Sequence, residues 1–162
     1  MSTKRPGSAA PWLDERDEQA WRALRRVIVR VREGTIRDLA ETGLSEPDYE
    51  VLSTLVEHPE KTSTLHAQAT KMGWSRSRLS RHTSRMEVRG LIRRAPDPAD
   101  GRGCLLVLTE TGREALRLAT PVHLASVRRH FADLLAPEDL DDLIRIASKL
   151  APTESAAGPE IP

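Results

Sequence analysis

Cysteine is nearly absent from this 162-residue chain, and the single Cys104 excludes an internal disulfide and any cysteine-rich zinc site. Aromatic residues are scarce: Trp12, Trp21, Trp74, Tyr49 and Phe131. Apolar residues make up only 38% and charged residues 30%, which is lean for one globular core and points to long, exposed helices. No apolar run approaches the ~18 residues a membrane crossing needs, and Met1 to Pro11 has no apolar signal core. The expected compartment is therefore the cytoplasm. No serine–histidine–acid set, carboxylate pair or phosphate loop stands out, so the chain is not expected to be an enzyme and no cofactor is implied. His123 and His130 fall on one helix face but about 10 Å apart along its axis, too far to share one metal ion.

What the chain does have is an uneven charge. Its net charge is only +1. Yet residues 71–102 hold nine Lys/Arg (Lys71, Arg76, Arg78, Arg81, Arg85, Arg89, Arg93, Arg94, Arg102) against Glu87, Asp97 and Asp100, a net of +6. The remainder carries −5. A basic island in a mildly acidic body attracts phosphate locally.

Residues 1–11 and 151–162 read as flexible tails, rich in proline and small residues. Residues 12–41 read as one long helix, with Trp21, Leu24, Ile28, Val31, Thr35 and Leu39 at three- and four-residue steps. So narrow a stripe on so long a helix needs a partner surface. A second helix starts at the cap Ser45, with Pro47 and Asp48 in its first turn, and stops at His58-Pro59. A short third helix is predicted over Ser63 to Met72 and a fourth, capped by Ser75, to about Val88. Leu79, Thr83 and Met86 line its inner side, while Arg81, Ser84 and Arg85 point away.

Leu91 to Arg94 and Cys104 to Leu108 read as strands around the turn-rich run Pro96 to Gly103, a hairpin whose tip carries Arg102. Thr109 caps a further long helix, predicted to about Leu135 and interrupted by Pro121. A last helix runs from Pro137 to Leu150, with the stripe Leu140, Leu143, Ile144, Ala147 and Leu150. Ala136 is a poor residue for its cap.

Helix, short helix, glycine, capped basic helix and arginine-tipped hairpin is the order of a winged helix-turn-helix. Its fourth helix suits the major groove, its wing arginine the minor groove, and the free N–H groups at Ser75 to Ser77 suit phosphate. The expected class is mainly α, a winged helix-turn-helix with a two-stranded wing, its DNA-binding region at 42–109.

The run Gly73-Trp74-Ser75-Arg76-Ser77-Arg78-Leu79-Ser80-Arg81 carries a resemblance, as does Arg85-Met86-Glu87-Val88-Arg89-Gly90-Leu91-Ile92-Arg93-Arg94. The wing Asp100-Gly101-Arg102-Gly103 and the stretch Leu106-Val107-Leu108-Thr109-Glu110-Thr111-Gly112-Arg113 complete it. Over roughly 12–150 the chain resembles the MarR family of transcriptional regulators. The resemblance implies a homodimer, with an α-helical dimerisation region over 12–41 and 110–150, that binds a pseudo-palindromic site on double-stranded DNA, most often as a repressor released by a small aromatic or lipophilic effector. By motif position it implies Ser75, Arg76, Ser77, Arg78, Arg81 and Arg85 as recognition-helix contacts, Arg102 as the wing contact and Asp100 as its brace. Trp12, Trp21 and Tyr49 are a first guess for an effector pocket. Oxidant-sensing members carry a cysteine near the start of the first helix. Cys104 lies elsewhere and reads as a small, partly buried strand residue. Gln68 departs from the leucine usual in the short helix, and Met86 from another leucine. Gln68 is expected either to loosen packing or to bring a polar group near the recognition helix. Two other functions remain open: a winged-helix protein–protein module, and a ligand-independent DNA-binding protein.

Overall fold

The computed structural model describes residues 12–98 and 103–150; the two tails and the wing tip, with Asp100 and Arg102, lie outside the described residues. Helix α1 spans Glu15–Ala40. Asp14 caps it by accepting from the Asp17 N–H at 2.8 Å, and Glu15, Asp17 and Glu18 complement its positive end. Its apolar stripe stays open along the N-terminal half, where Trp21, Leu24, Val27 and Ile28 are all exposed. Only Gly34 and Leu39 are buried.

Helix α2, Glu46–Val56, opens with a capping box. Ser45 Oγ accepts from the Asp48 N–H, and the Asp48 carboxylate accepts from the Ser45 N–H at 2.9 Å. Its Val51, Leu52 and Leu55 are fully buried. The segment predicted as one helix from Ser63 divides in two. Thr62–Thr64 forms strand β1, and Thr64 then caps α3, Leu65–Lys71, by accepting from the Ala67 N–H. Helix α4 is Arg76–Val88, followed by strands β2, Ile92–Pro96, and β3, Cys104–Leu108.

The three strands form one antiparallel sheet in the order β1-β3-β2. The wing hairpin pairs Ile92 with Leu108 and Pro96 with Cys104, and β1 adds itself to the other edge of β3. The two-stranded expectation thus gains a third strand, whose hydrogen bonds shield an edge that would otherwise be open.

Helix α5 spans Glu110–His130 and runs on past Pro121. It ends earlier than Leu135 because Phe131 leaves the helical backbone region (φ −141°, ψ −72°), and a short 3₁₀ turn, Ala132–Leu134, follows. Helix α6 is Pro137–Leu150. In place of a capping side chain at Ala136, the Asp139 carboxylate accepts the Ala136 N–H at 3.0 Å.

One hydrophobic core joins the C-terminal end of α1, α2, α3, α4, the sheet and the first half of α5, through Leu39, Leu52, Leu55, Ala69, Leu79, Met86, Ile92, Leu106 and Leu116. Burying each large side chain contributes about 1.5–3 kcal/mol. Two glycines let backbones meet. A Cβ on Gly112 would fall 1.9 Å from the Leu91 carbonyl oxygen, so α5 can start against β2 only with glycine there. Thr109 fastens the same corner, capping α5 while its hydroxyl donates to the Gly90 and Leu91 carbonyls. Gly34 lets α1 cross α5, because a Cβ there would strike the His130 ring at 2.5 Å. At that crossing Asp38 takes hydrogen bonds from Ser126 at 2.7 Å and from His130, with Arg129 3.2 Å away. The Ser126 hydroxyl and the His130 and Arg129 charges hold the Asp38 carboxyl below its usual range.

Gln68 is fully buried: its amide N–H donates to Thr54 Oγ1 at 2.7 Å, tying α3 to α2, while its Oε1 has no partner among the described residues.

Candidate nucleic-acid interface

Helix α4 sorts its residues by face. Ser75 Oγ caps it by accepting from the Arg78 N–H at 3.2 Å, which leaves the other first-turn N–H groups free for an anion. Leu79, Thr83 and Met86 are buried, and Thr83 turns its hydroxyl back onto the Leu79 carbonyl. Ser75, Arg76, Ser77, Arg78, Arg81 and Arg85 are all exposed; by helical spacing Ser77, Arg78, Arg81 and Arg85 fall on the opposite face, while Ser75 and Arg76 stand at the N-terminal end of the helix.

The nine basic residues of the island do not all belong to that surface. Lys71 pairs with Glu57 at 2.5 Å. Arg94 donates to Ser80 O at 2.5 Å and to Thr83 Oγ1 at 2.6 Å, while its own N–H goes to Glu87, which locks β2 against α4. Arg89 reaches back to α2, donating to Asp48 at 2.7 Å and to the Gly43 carbonyl at 2.8 Å. These three serve the fold. Arg76 and Arg81 on α4 and Arg93 on β2 face water without an ionic partner among the described residues. Arg93 has no helical spacing or turn signal to single it out. It is exposed on the wing, but strand alternation turns it to the face of β2 opposite Arg94, which packs on α4.

Arg78 and Arg85 are held without being neutralised. The Arg78 guanidinium lies 3.7 Å from the centre of the Trp74 ring. Arg85 lies 3.1 Å from His82 Nδ1. Together Pro47, Trp74, Arg78, Arg81, His82 and Arg85 line a recess of about 240 Å³ beside the start of α2. Beneath it sits Asp48, almost wholly buried. Burial alone would raise its carboxyl; Arg89 and the Ser45 donors outweigh that and hold it below its usual range, so it stays ionised. Burial pushes the His82 imidazole down, against the pull of Asp48, and keeps it neutral near pH 7.

The wing stem is closed by the Asp97 N–H donating to the Gly103 carbonyl at 3.2 Å, just below the tip that holds Asp100 and Arg102. Cys104 is half-buried in β3. The aromatic set is not brought together in one chain. Trp12 is 89% and Trp21 54% exposed, and neither lines the recess. Tyr49 packs onto the core and against the His123 ring of α5, with ring centres 4.4 Å apart. His130 is engaged at Asp38. No three histidine, cysteine or acidic side chains gather as a metal site among the described residues, and no described helix is long and apolar enough to cross a membrane.

Comparison with known proteins gives a consistent picture. The MarR family's sequence model matches residues 44–104. AbsC, a MarR family transcriptional regulator from Streptomyces coelicolor, is 40% identical; the match covers 88% of this chain and 97% of AbsC, with a TM-score of 0.83. A second MarR family transcriptional regulator from Streptomyces coelicolor, solved in complex with DNA, is 30% identical over 90% of this chain and 96% of its own, with a TM-score of 0.82. CouR from Rhodococcus jostii RHA1, solved bound to p-coumaroyl-CoA, is 27% identical over 89% of this chain and all of its own, with a TM-score of 0.71.

Proposed function

Because the chain belongs to the MarR family of transcriptional regulators, we propose that it is a homodimeric repressor that binds a pseudo-palindromic promoter site and is released by a small-molecule effector. The observation that carries this reading is the arginine surface of α4, with Arg78, Arg81 and Arg85 exposed on one face of a winged helix-turn-helix, while Lys71, Arg89 and Arg94 of the island are spent on the fold. The relative solved in complex with DNA supports the same reading.

Two copies of α4 would enter successive major grooves on one face of the duplex, about 34 Å apart. The first-turn N–H groups and Arg76 suit phosphate, which sets register and most of the affinity. Ser77, Arg78, Arg81 and Arg85 lie further along the exposed face and are the candidates for base edges, where arginine pairs with guanine. Arg102 would enter the minor groove from the wing, braced by Asp100. The exposed apolar residues of α1 and α6 supply the pairing surface for the second copy. No reaction is part of this function, and it is exercised where the DNA is, in the cytoplasm.

The effector is small and aromatic or lipophilic, in line with the relative bound to p-coumaroyl-CoA. Of the three aromatic candidates, Tyr49 is the one held between α2 and α5, and so the one placed to pass an effector's arrival to the DNA-reading half. Trp21 stands on α1 instead, and Trp12 precedes that helix.

The test is selection of bound duplexes from a random library at two salt concentrations. Recovery of an inverted repeat, with affinity falling steeply as salt rises, is the expected outcome. No enrichment would overturn the reading in favour of a protein–protein module. Binding without sequence preference would make the protein architectural.

A further inference from the structure

Arg85 projects from an exposed face, where a long side chain ordinarily samples many rotamers and must be fixed before it can read a base. Here it is already fixed, and the group that fixes it is His82, one turn earlier on α4. His82 is itself held from two sides. Its Nε2 lies 3.0 Å from the buried Asp48 Oδ1 on α2, and its ring meets the Trp74 ring edge-on, 5.7 Å between centres. Trp74 in turn carries Arg78 on its face. The imidazole is therefore the hinge-pin between a buried anchor and two of the arginines on the candidate reading surface.

The chemistry of its neighbours sets its tautomer. A carboxylate can only accept, so the nitrogen facing Asp48 carries the proton. Nδ1 is then left with a lone pair, and a guanidinium can only donate. With the ring neutral, Nδ1 can accept from Arg85 while Nε2 stays in contact with Asp48 Oδ1 at 3.0 Å, off hydrogen-bond alignment. Asp48 cannot drift, because its other oxygen is held by Arg89 at 2.7 Å and by the Ser45 N–H at 2.9 Å.

We propose that His82 is a positioning residue for DNA recognition: through Nδ1 it aims Arg85, and through Nε2 it refers that aim to the start of α2. The proposal rests on the DNA-binding function above. It adds a residue that no base or phosphate need touch, since its side chain is only 12% exposed.

The test is a double-mutant cycle on a duplex recovered by selection, at fixed salt. Glutamine places its amide nitrogen near the Nε2 position, whereas asparagine places its carbonyl oxygen near Nδ1. His82→Gln should weaken binding about two- to tenfold, the cost of leaving one long side chain unfixed. Arg85→Ala should weaken it about ten- to hundredfold. In the double variant the His82→Gln effect should vanish, because nothing is left to aim, and His82→Asn, which keeps the acceptor for Arg85 but not the link to Asp48, should lose clearly less than His82→Gln. Thermal unfolding of each variant is followed alongside. Additive losses, or equal losses for His82→Gln and His82→Asn, would show a merely structural histidine and overturn the proposal. So would an Arg85→Ala variant that binds like wild type. A wild-type chain that binds no duplex would instead remove the DNA-binding reading itself.

Discussion

The two halves of the molecule finish their folding differently. In the DNA-reading half, α2, α3, α4 and the sheet close their apolar surface within one chain, around Leu52, Leu55, Leu79, Met86 and Leu106. In the helical half, α6 buries none of its residues, and the N-terminal half of α1 keeps its stripe in water. The first half is a completed domain that presents charge. The second leaves apolar residues of α6 and of the start of α1 exposed, the surface proposed above to pair with a second copy. Sequence-specific recognition needs both: one rigid arginine surface, and a way to hold two of them one helical turn apart.

Substitutions that strike one half and spare the other sharpen this contrast. The largest effect is expected from Ile144→Asp on α6. Ile144 is 65% exposed in a single chain, so the change should cost little within that chain, yet it places a charge in the pairing surface. Sedimentation should show a monomer where the wild type is a dimer, with helical content by circular dichroism retained.

Next in size is Asp48→Asn, which strikes the completed half. It removes the charge that holds Arg89 and His82 and weakens the α2 capping box. The expected loss is about 3 kcal/mol, the low end for breaking a buried pair, because Arg89 remains partly in water. Urea unfolding measures it; a loss within ~0.5 kcal/mol, as for an ordinary surface change, would contradict the anchoring role.

The smallest is Arg102→Ala on the wing, expected to weaken DNA binding by ~1–3 kcal/mol while leaving dimer and stability unchanged. A gel-shift titration at fixed salt reads it, and unchanged affinity would count against a wing contact.

The order of helices and the exposed face of α4 were legible in the sequence because local signals mark them. Ser45, Ser75 and Thr109 cap the helices they were expected to cap, and Leu79, Thr83 and Met86 separate from the arginines by helical spacing alone. What escaped notice depends on distant pairing. Thr62–Thr64 has no apolar alternation and becomes a strand only because β3 offers it an edge. The end of α5 was overrun because Ala132, Leu134 and Leu135 continue a helix-forming composition past Phe131. Arg89 and Arg94 look no different from Arg81 in a count of charges. Asp48 and Thr83, far away in the sequence, take them out of the reading surface. The same holds for His82, whose role is set by a carboxylate on another helix.

The central claim is that a complete reading half is useful only when the incomplete half pairs. It is tested most directly by measuring the affinities of wild type and Ile144→Asp for the selected inverted repeat and for a single half-site, under one salt condition. The wild type should prefer the full repeat strongly, and the variant should bind both duplexes with nearly the weak affinity of one half-site. A variant that keeps the wild-type preference for the full repeat would contradict the account.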